Sequence, residues 1–88
     1  MGEAQARLGD TTDHGGTIIS GAAKTLVNGM PAARVGDLHS CPLEGHGITP
    51  IVTGSGKTTI EGQAAARVGD RTGCGAVITS GSPDMEVG

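Results

Sequence analysis

The pentapeptide Ala-Arg-(Leu/Val)-Gly-Asp occurs three times in this chain, at Ala6–Asp10, Ala33–Asp37 and Ala66–Asp70. A sequence that repeats itself in this way builds one supersecondary unit several times, and the units must bury their apolar faces against one another. After a loop, each pentapeptide leads to a β-branched run that closes on glycine: Ile18-Ile19-Ser20-Gly21, Ile51-Val52-Thr53-Gly54 and Val77-Ile78-Thr79-Ser80-Gly81. A second short run follows in each case, Thr25 to Gly29, Thr58 to Gly62 and Met85 to Gly88. Short strands separated by glycine turns are hairpin grammar. Glycine or proline interrupts every window longer than about ten residues, a typical minimum helix length, so an all-β chain with little helix is expected. Pro31 and Pro50 are expected at strand starts or edges, where a missing N–H is tolerated. The repeats run over about residues 4–29, 32–62 and 64–88 of a single domain. The terminal repeats carry no distinct capping composition, which favours a closed pseudo-threefold packing of three hairpins over an open solenoid.

Such a fold lacks the usual means of stabilisation. The 88 residues include no Phe, Tyr or Trp and 17 glycines. The core must come from Ile, Val, Leu, Met and Ala, and each glycine loses much backbone entropy on folding. A chain of this size needs a staple: a disulfide, a metal or a partner. The net charge of −3 and the scattered basic residues exclude nucleic acid and anionic membrane as expected partners. No apolar run approaches the roughly 20 residues of a membrane helix, so no stable membrane anchor is expected. Met1 to Asp10 lacks an apolar signal core, and classical secretion is not expected. In a cytosolic product the two cysteines read as thiols or ligands rather than a disulfide.

Aligning the repeats on their Gly-Asp supplies the staple. Four residues beyond Asp10, Asp37 and Asp70 stand His14, Cys41 and Cys74. One position thus holds a zinc-capable side chain in every repeat, and a threefold arrangement makes the three converge. The distance from Asp to the strand-closing glycine is larger in the middle repeat, Asp37 to Gly54, than in Asp10 to Gly21 or Asp70 to Gly81. The extra residues lie around Pro42 to Gly47 and bring in His46. His14, Cys41, His46 and Cys74 would complete a His2Cys2 tetrahedron around one Zn2+, a closed site of the structural kind. His39, two residues before Cys41, is the alternative to Cys41 and would give a three-His, one-Cys site. Every His and Cys of the chain falls in these three loops. The Arg-Asp pairs Arg7–Asp10, Arg34–Asp37 and Arg67–Asp70 read as turn chemistry, with each Asp bonding nearby amides and its Arg. Gly15, Gly16 and Gly75 would let the backbone approach the metal closely. No Ser-His-Asp set or phosphate loop stands out, and no catalytic residue is expected.

The segment Met30-Pro31-Ala32-Ala33-Arg34-Val35-Gly36-Asp37 contains a Pro-Ala-Ala-Arg motif, and the chain resembles the PAAR-repeat family that is named for it. Ala64 to Asp70 is a near copy with Ala64 in place of Pro, and Ala4 to Asp10 departs further. The tracts His14-Gly15-Gly16, Ser40-Cys41-Pro42, Gly45-His46-Gly47 and Cys74-Gly75-Ala76 are similar to the same family. The resemblance implies a short cone of β-hairpins with one structural zinc near its vertex. It implies a base docked on a trimeric β-helical spike, the valine-glycine repeat (VgrG) protein or a phage-tail counterpart, one tip per trimer. The tip then sharpens the spike of a type VI secretion or related contractile injection system for membrane puncture and effector delivery. Family sites often hold three His and one Cys, which favours His39 over Cys41. Leu26, Val27, Ile60 and Val87, near the hairpin ends, are expected contributors to an apolar base. The chain ends with the third hairpin and reads as a bare tip, assembled in the cytoplasm and exported on the spike, with any effector cargo carried elsewhere. The competing readings are a small zinc-dependent hydrolase, with Asp13 or Glu44 as general base, and a free-standing zinc-binding module.

Overall fold

A computed structural model describes residues 3–42 and 47–87. Within them there are nine short strands and no helix. They are β1 (Glu3–Ala4), β2 (Thr17–Ile18), β3 (Leu26–Val27), β4 (Met30–Pro31), β5 (Leu38–Ser40), β6 (Ile48–Pro50), β7 (Thr59–Ile60), β8 (Gln63–Ala64) and β9 (Glu86–Val87). All ladders are antiparallel: β3 with β4, β7 with β8, β1 with β9, and a three-stranded sheet in the order β2-β5-β6.

The hairpins join repeats rather than lying within them. β3 closes the first repeat and β4 opens the second, across the turn Asn28-Gly29. β7 and β8 join the second to the third across Glu61-Gly62. Both residues of each turn have positive φ (54° and 81°; 49° and 87°), as a type I′ hairpin turn requires. Asn adopts this conformation readily, and Glu only at a cost. The Glu61 carboxylate offsets the strain by accepting from the Lys24 N–H and the Thr25 hydroxyl, both at 3.0 Å. The pairing of β1 with β9 makes the corresponding link between the third repeat and the first, without a covalent turn among the described residues.

Backbone hydrogen bonds carry this closure through the centre. The Ala33 N–H donates to the Ala6 carbonyl (2.9 Å), Ala66 N–H to Ala33 (3.0 Å), and Ala6 N–H to Ala66 (3.0 Å). Each repeat therefore donates to the preceding one and the first donates to the last. The three alanines are fully buried with Ile18, Ile51 and Ile78 in one core cluster. Ala22, Val27, Ala32, Ile60, Ala65 and Val87 form a second, under the hairpins. This corrects one expectation. Val27, Ile60 and Val87 are core residues, each at most 7% exposed, while Leu26 is 61% exposed. In strands of two residues the side chains alternate between faces, so one of each adjacent pair must turn inward. Pro31 and Pro50 are the last residues of β4 and β6, both edge strands, where a missing N–H is tolerated.

The pentapeptides form three equivalent turns. In each, the Asp N–H donates to the Arg carbonyl (Asp10 to Arg7, Asp37 to Arg34, Asp70 to Arg67), and the glycine at the third position has φ of 92° to 97°. A type II turn demands that conformation, so glycine is required there. The Asp side chain then works twice. Asp37 accepts from the Arg34 backbone N–H (2.8 Å) and from its Nε (3.0 Å) and Nη2 (3.2 Å). It also accepts from the Ser20 hydroxyl of the preceding repeat (3.0 Å). Thr53 donates likewise to Asp70, and Ser80 to Asp10, each at 3.0 Å. The hydrogen bond to its Asp raises the pKa of each of these arginines, which stay charged throughout.

Asp37→Ala removes four hydrogen bonds from a carboxylate that is 5% exposed. Urea unfolding of the variant should show a loss on the order of 2–3 kcal/mol, the range for bonds to a charged group. A loss below about 0.5 kcal/mol, the size of an ordinary surface substitution, would mean that these turns do not hold the repeats together.

Candidate metal centre

The ligand loops are short and pinned at their bases. In the first repeat the Thr12 N–H donates to the Gly16 carbonyl (3.1 Å) and the Gly15 N–H to Thr12 (3.0 Å). In the third, Thr72 and Gly75 bond in the same way to Ala76 (2.9 Å) and Thr72 (3.0 Å). The middle loop is fastened where the Cys41 N–H donates to the Gly47 carbonyl (2.9 Å). Asp13 ties the first loop to the third repeat: its N–H donates to the Val77 carbonyl and its Oδ1 accepts from the Val77 N–H, both at 2.9 Å.

These loops bring His14, Cys41 and Cys74 together, their ligand atoms all within 4.8 Å of one another. His14 Nδ1 lies 3.6 Å from Cys41 Sγ and 3.8 Å from Cys74 Sγ. Around a tetrahedral ion with bonds of about 2.0 Å to nitrogen and about 2.3 Å to sulfur, neighbouring N and S ligands stand about 3.5 Å apart. The three side chains therefore fit a metal ion. Cys41 is buried and Cys74 is half-buried.

His39 lies elsewhere. It occupies the position two residues after Asp37, the counterpart of Thr12 and Thr72, and all three are buried (0%, 5% and 2% exposed). Its Nε2 lies 2.9 Å from Thr12 Oγ1, and its Nδ1 has no partner among the described residues. The same repeat register that aligns Cys41 with His14 and Cys74 aligns His39 with Thr12 and Thr72. His46 and Glu44 lie outside the described residues.

Two features of the site escape a reading of the sequence. Gly16 packs so closely on His39 Nε2 and the Ser40 carbonyl that a Cβ would collide with both. Thr72 is the other feature, since it acts on Cys74. Burial pushes the Cys74 thiol up, but hydrogen bonds with Thr72 (Oγ1 to Sγ 3.2 Å), the Ala76 N–H and His14 outweigh it and lower the pKa to about 5. The contact of Thr72 with sulfur depends on side-chain rotamers, which spacing does not encode.

A thiol depressed in the folded state stabilises the fold above its unfolded pKa, about 8.5, and loses that contribution as pH falls through the folded value. Metal-free reduced protein should therefore gain stability between about pH 5 and pH 8.5, and Cys74→Ser should flatten that rise. Thiolate absorbance checks it directly. A Cys74 that titrates at an ordinary thiol pH would show that the hydrogen bonds to sulfur do not prevail.

A family model described as the PAAR motif matches residues 8–80. Among the curated proteins there is no match.

Proposed function

The chain belongs to the PAAR-motif family, and on that premise we propose that it is a structural spike tip, locked by one zinc ion and seated on a trimeric VgrG-like spike. The observation that carries the reading is the closed cycle of bonds among three repeats, with the imidazole and two thiols gathered at one end. Two sulfurs and an imidazole nitrogen are donors that zinc accepts readily. His14, Cys41 and Cys74 would hold it, with His46 as the fourth ligand in the proposal. A fully occupied tetrahedron leaves no place for water, so the ion serves the fold and not a reaction. The hydrolase alternative is the weaker one: Asp13, its candidate base, accepts the Val77 N–H and fastens two repeats together.

Chain connectivity gives the molecule two ends. From the ligands it runs through Thr12, His39 and Thr72 to the isoleucines and alanines, and then to the hairpins. The hairpin end is the proposed docking base. Its exposed residues are Leu26 and Met30 on the first hairpin, Thr59 and Gln63 on the second, and Glu3 and Glu86 on the β1–β9 pair. Two hairpins and the β1–β9 pair, related in a cycle, are suited to cover three exposed strand edges of a trimer at once. In this reading the tip assembles in the cytoplasm and leaves on the spike without a signal peptide, opening the path for cargo.

Two measurements test the proposal. Purified protein should contain one zinc per chain, and stripping it should lower the melting temperature markedly, since structural zinc contributes on the order of 10 kcal/mol in small peptides. An unchanged melting temperature in a verified metal-free sample would show that the ion is not the staple. Mixed with a trimeric spike fragment, the protein should elute as a complex of one tip per trimer, and failure to form that complex ends the capping assignment.

A further inference from the structure

The middle and third repeats supply two thiols to one cluster. Cys41 and Cys74 lie 33 positions apart in sequence, and their sulfurs lie within 4.8 Å. We propose that Cys41 and Cys74 form an intramolecular disulfide when the metal site is empty, so that the same two residues fasten the tip in either of two ways. The alternation with metal rests on the proposed zinc site; the disulfide itself rests on the placement of the sulfurs.

The geometry favours closure from one side. Cys41 is buried and its Cα is wedged against Gly16, so it is the fixed partner. Cys74 is half-buried and stands in a turn between Gly73 and Gly75, where no neighbour lies closer than 3.4 Å to the space a Cβ would occupy. A disulfide needs sulfurs about 2.05 Å apart, and rotation of Cys74 with a small shift of its turn can supply the difference. The product would tie the second repeat to the third at the point where the metal ties them.

The oxidant is a low-molecular-weight disulfide such as oxidised glutathione. The more accessible Cys74 sulfur attacks one sulfur of the reagent, whose S–S bond breaks and releases the first glutathione thiolate. Cys41 then attacks the Cys74 sulfur of the mixed disulfide and displaces the second glutathione. The two cysteines lose two electrons and two protons, and two glutathione molecules carry them away. In the metal-loaded protein both sulfurs are committed to the ion, which must leave before or as the bond forms. A tip that loses its metal in an oxidising exterior would in this way keep a fastening where the ion had been.

The test compares full-length zinc-loaded and chelator-stripped protein with oxidised glutathione. The stripped protein should lose the mass of two hydrogens, stay monomeric, and yield a Cys41–Cys74 linked peptide. The zinc-loaded protein should react at least about tenfold more slowly, because its sulfurs are not available as nucleophiles. The oxidised metal-free form should also melt above its reduced counterpart, as a cross-link that restricts the unfolded chain predicts. Stable glutathione adducts on either cysteine, or covalent dimers, would overturn the disulfide while leaving zinc binding intact. Linkage at the same rate with and without zinc would leave the disulfide standing and remove the metal reading instead.

Discussion

Three amide groups, those of Ala6, Ala33 and Ala66, pass hydrogen bonds round a closed cycle at the centre of the molecule. The rest of the structure follows from this constraint. Backbones that meet so closely leave no room for a large side chain, and the three residues are alanines with no exposed surface. The next shell is isoleucine and the one beyond is valine, isoleucine and alanine. The absence of Phe, Tyr and Trp, odd as a composition, is the expected one for a core whose first requirement is close backbone approach.

A core of this kind is thin, and polar fastenings supplement it at every level. The buried carboxylates of Asp10, Asp37 and Asp70 each bind an arginine of their own turn and a hydroxyl of the preceding repeat. The hairpin tips reach across as well: Asn28 bonds Arg7 and Asp84, and Glu61 bonds Lys24 and Thr25. One position breaks the pattern. Gln5 stands where the other repeats have Ala32 and Ala65, and its amide donates to the carbonyls of Ala6 and Ala33. The His14, Cys41 and Cys74 cluster likewise draws one side chain from each repeat.

The sequence was most informative where chemistry repeats in register. The spacing from Asp to His14, Cys41 and Cys74 predicted their meeting, because equivalent positions in a closed set of repeats must converge. The Arg-Val-Gly-Asp turns were equally legible, since a type II turn asks for glycine at one position and rewards aspartate at the next. Less legible was the inward or outward sense of residues in strands of two, where a shift of one residue exchanges the faces. Proximity to the hairpin ends suggests a surface position for Val27, Ile60 and Val87, yet all three belong to the core. The partition of the hairpins was also hidden, because each one straddles a boundary that the repeat itself suggests. For His39, family resemblance points to the metal; in this structure the side chain is fully buried and its Nε2 lies beside Thr12 Oγ1.

The pairing of β1 with β9 has a consequence for how the molecule forms. Most of its linking contacts join neighbouring repeats, but this seam joins residues 3 and 4 to 86 and 87. Contacts of such long sequence separation form late and slow folding, because the whole chain must be gathered before they yield any return. Until then the Ala6 amide lacks its acceptor and the first repeat has only one neighbour. An open array of repeats can add units one at a time and fray from either end. A cycle has no end from which to fray, so the three repeats should order together and unfold together as one cooperative unit.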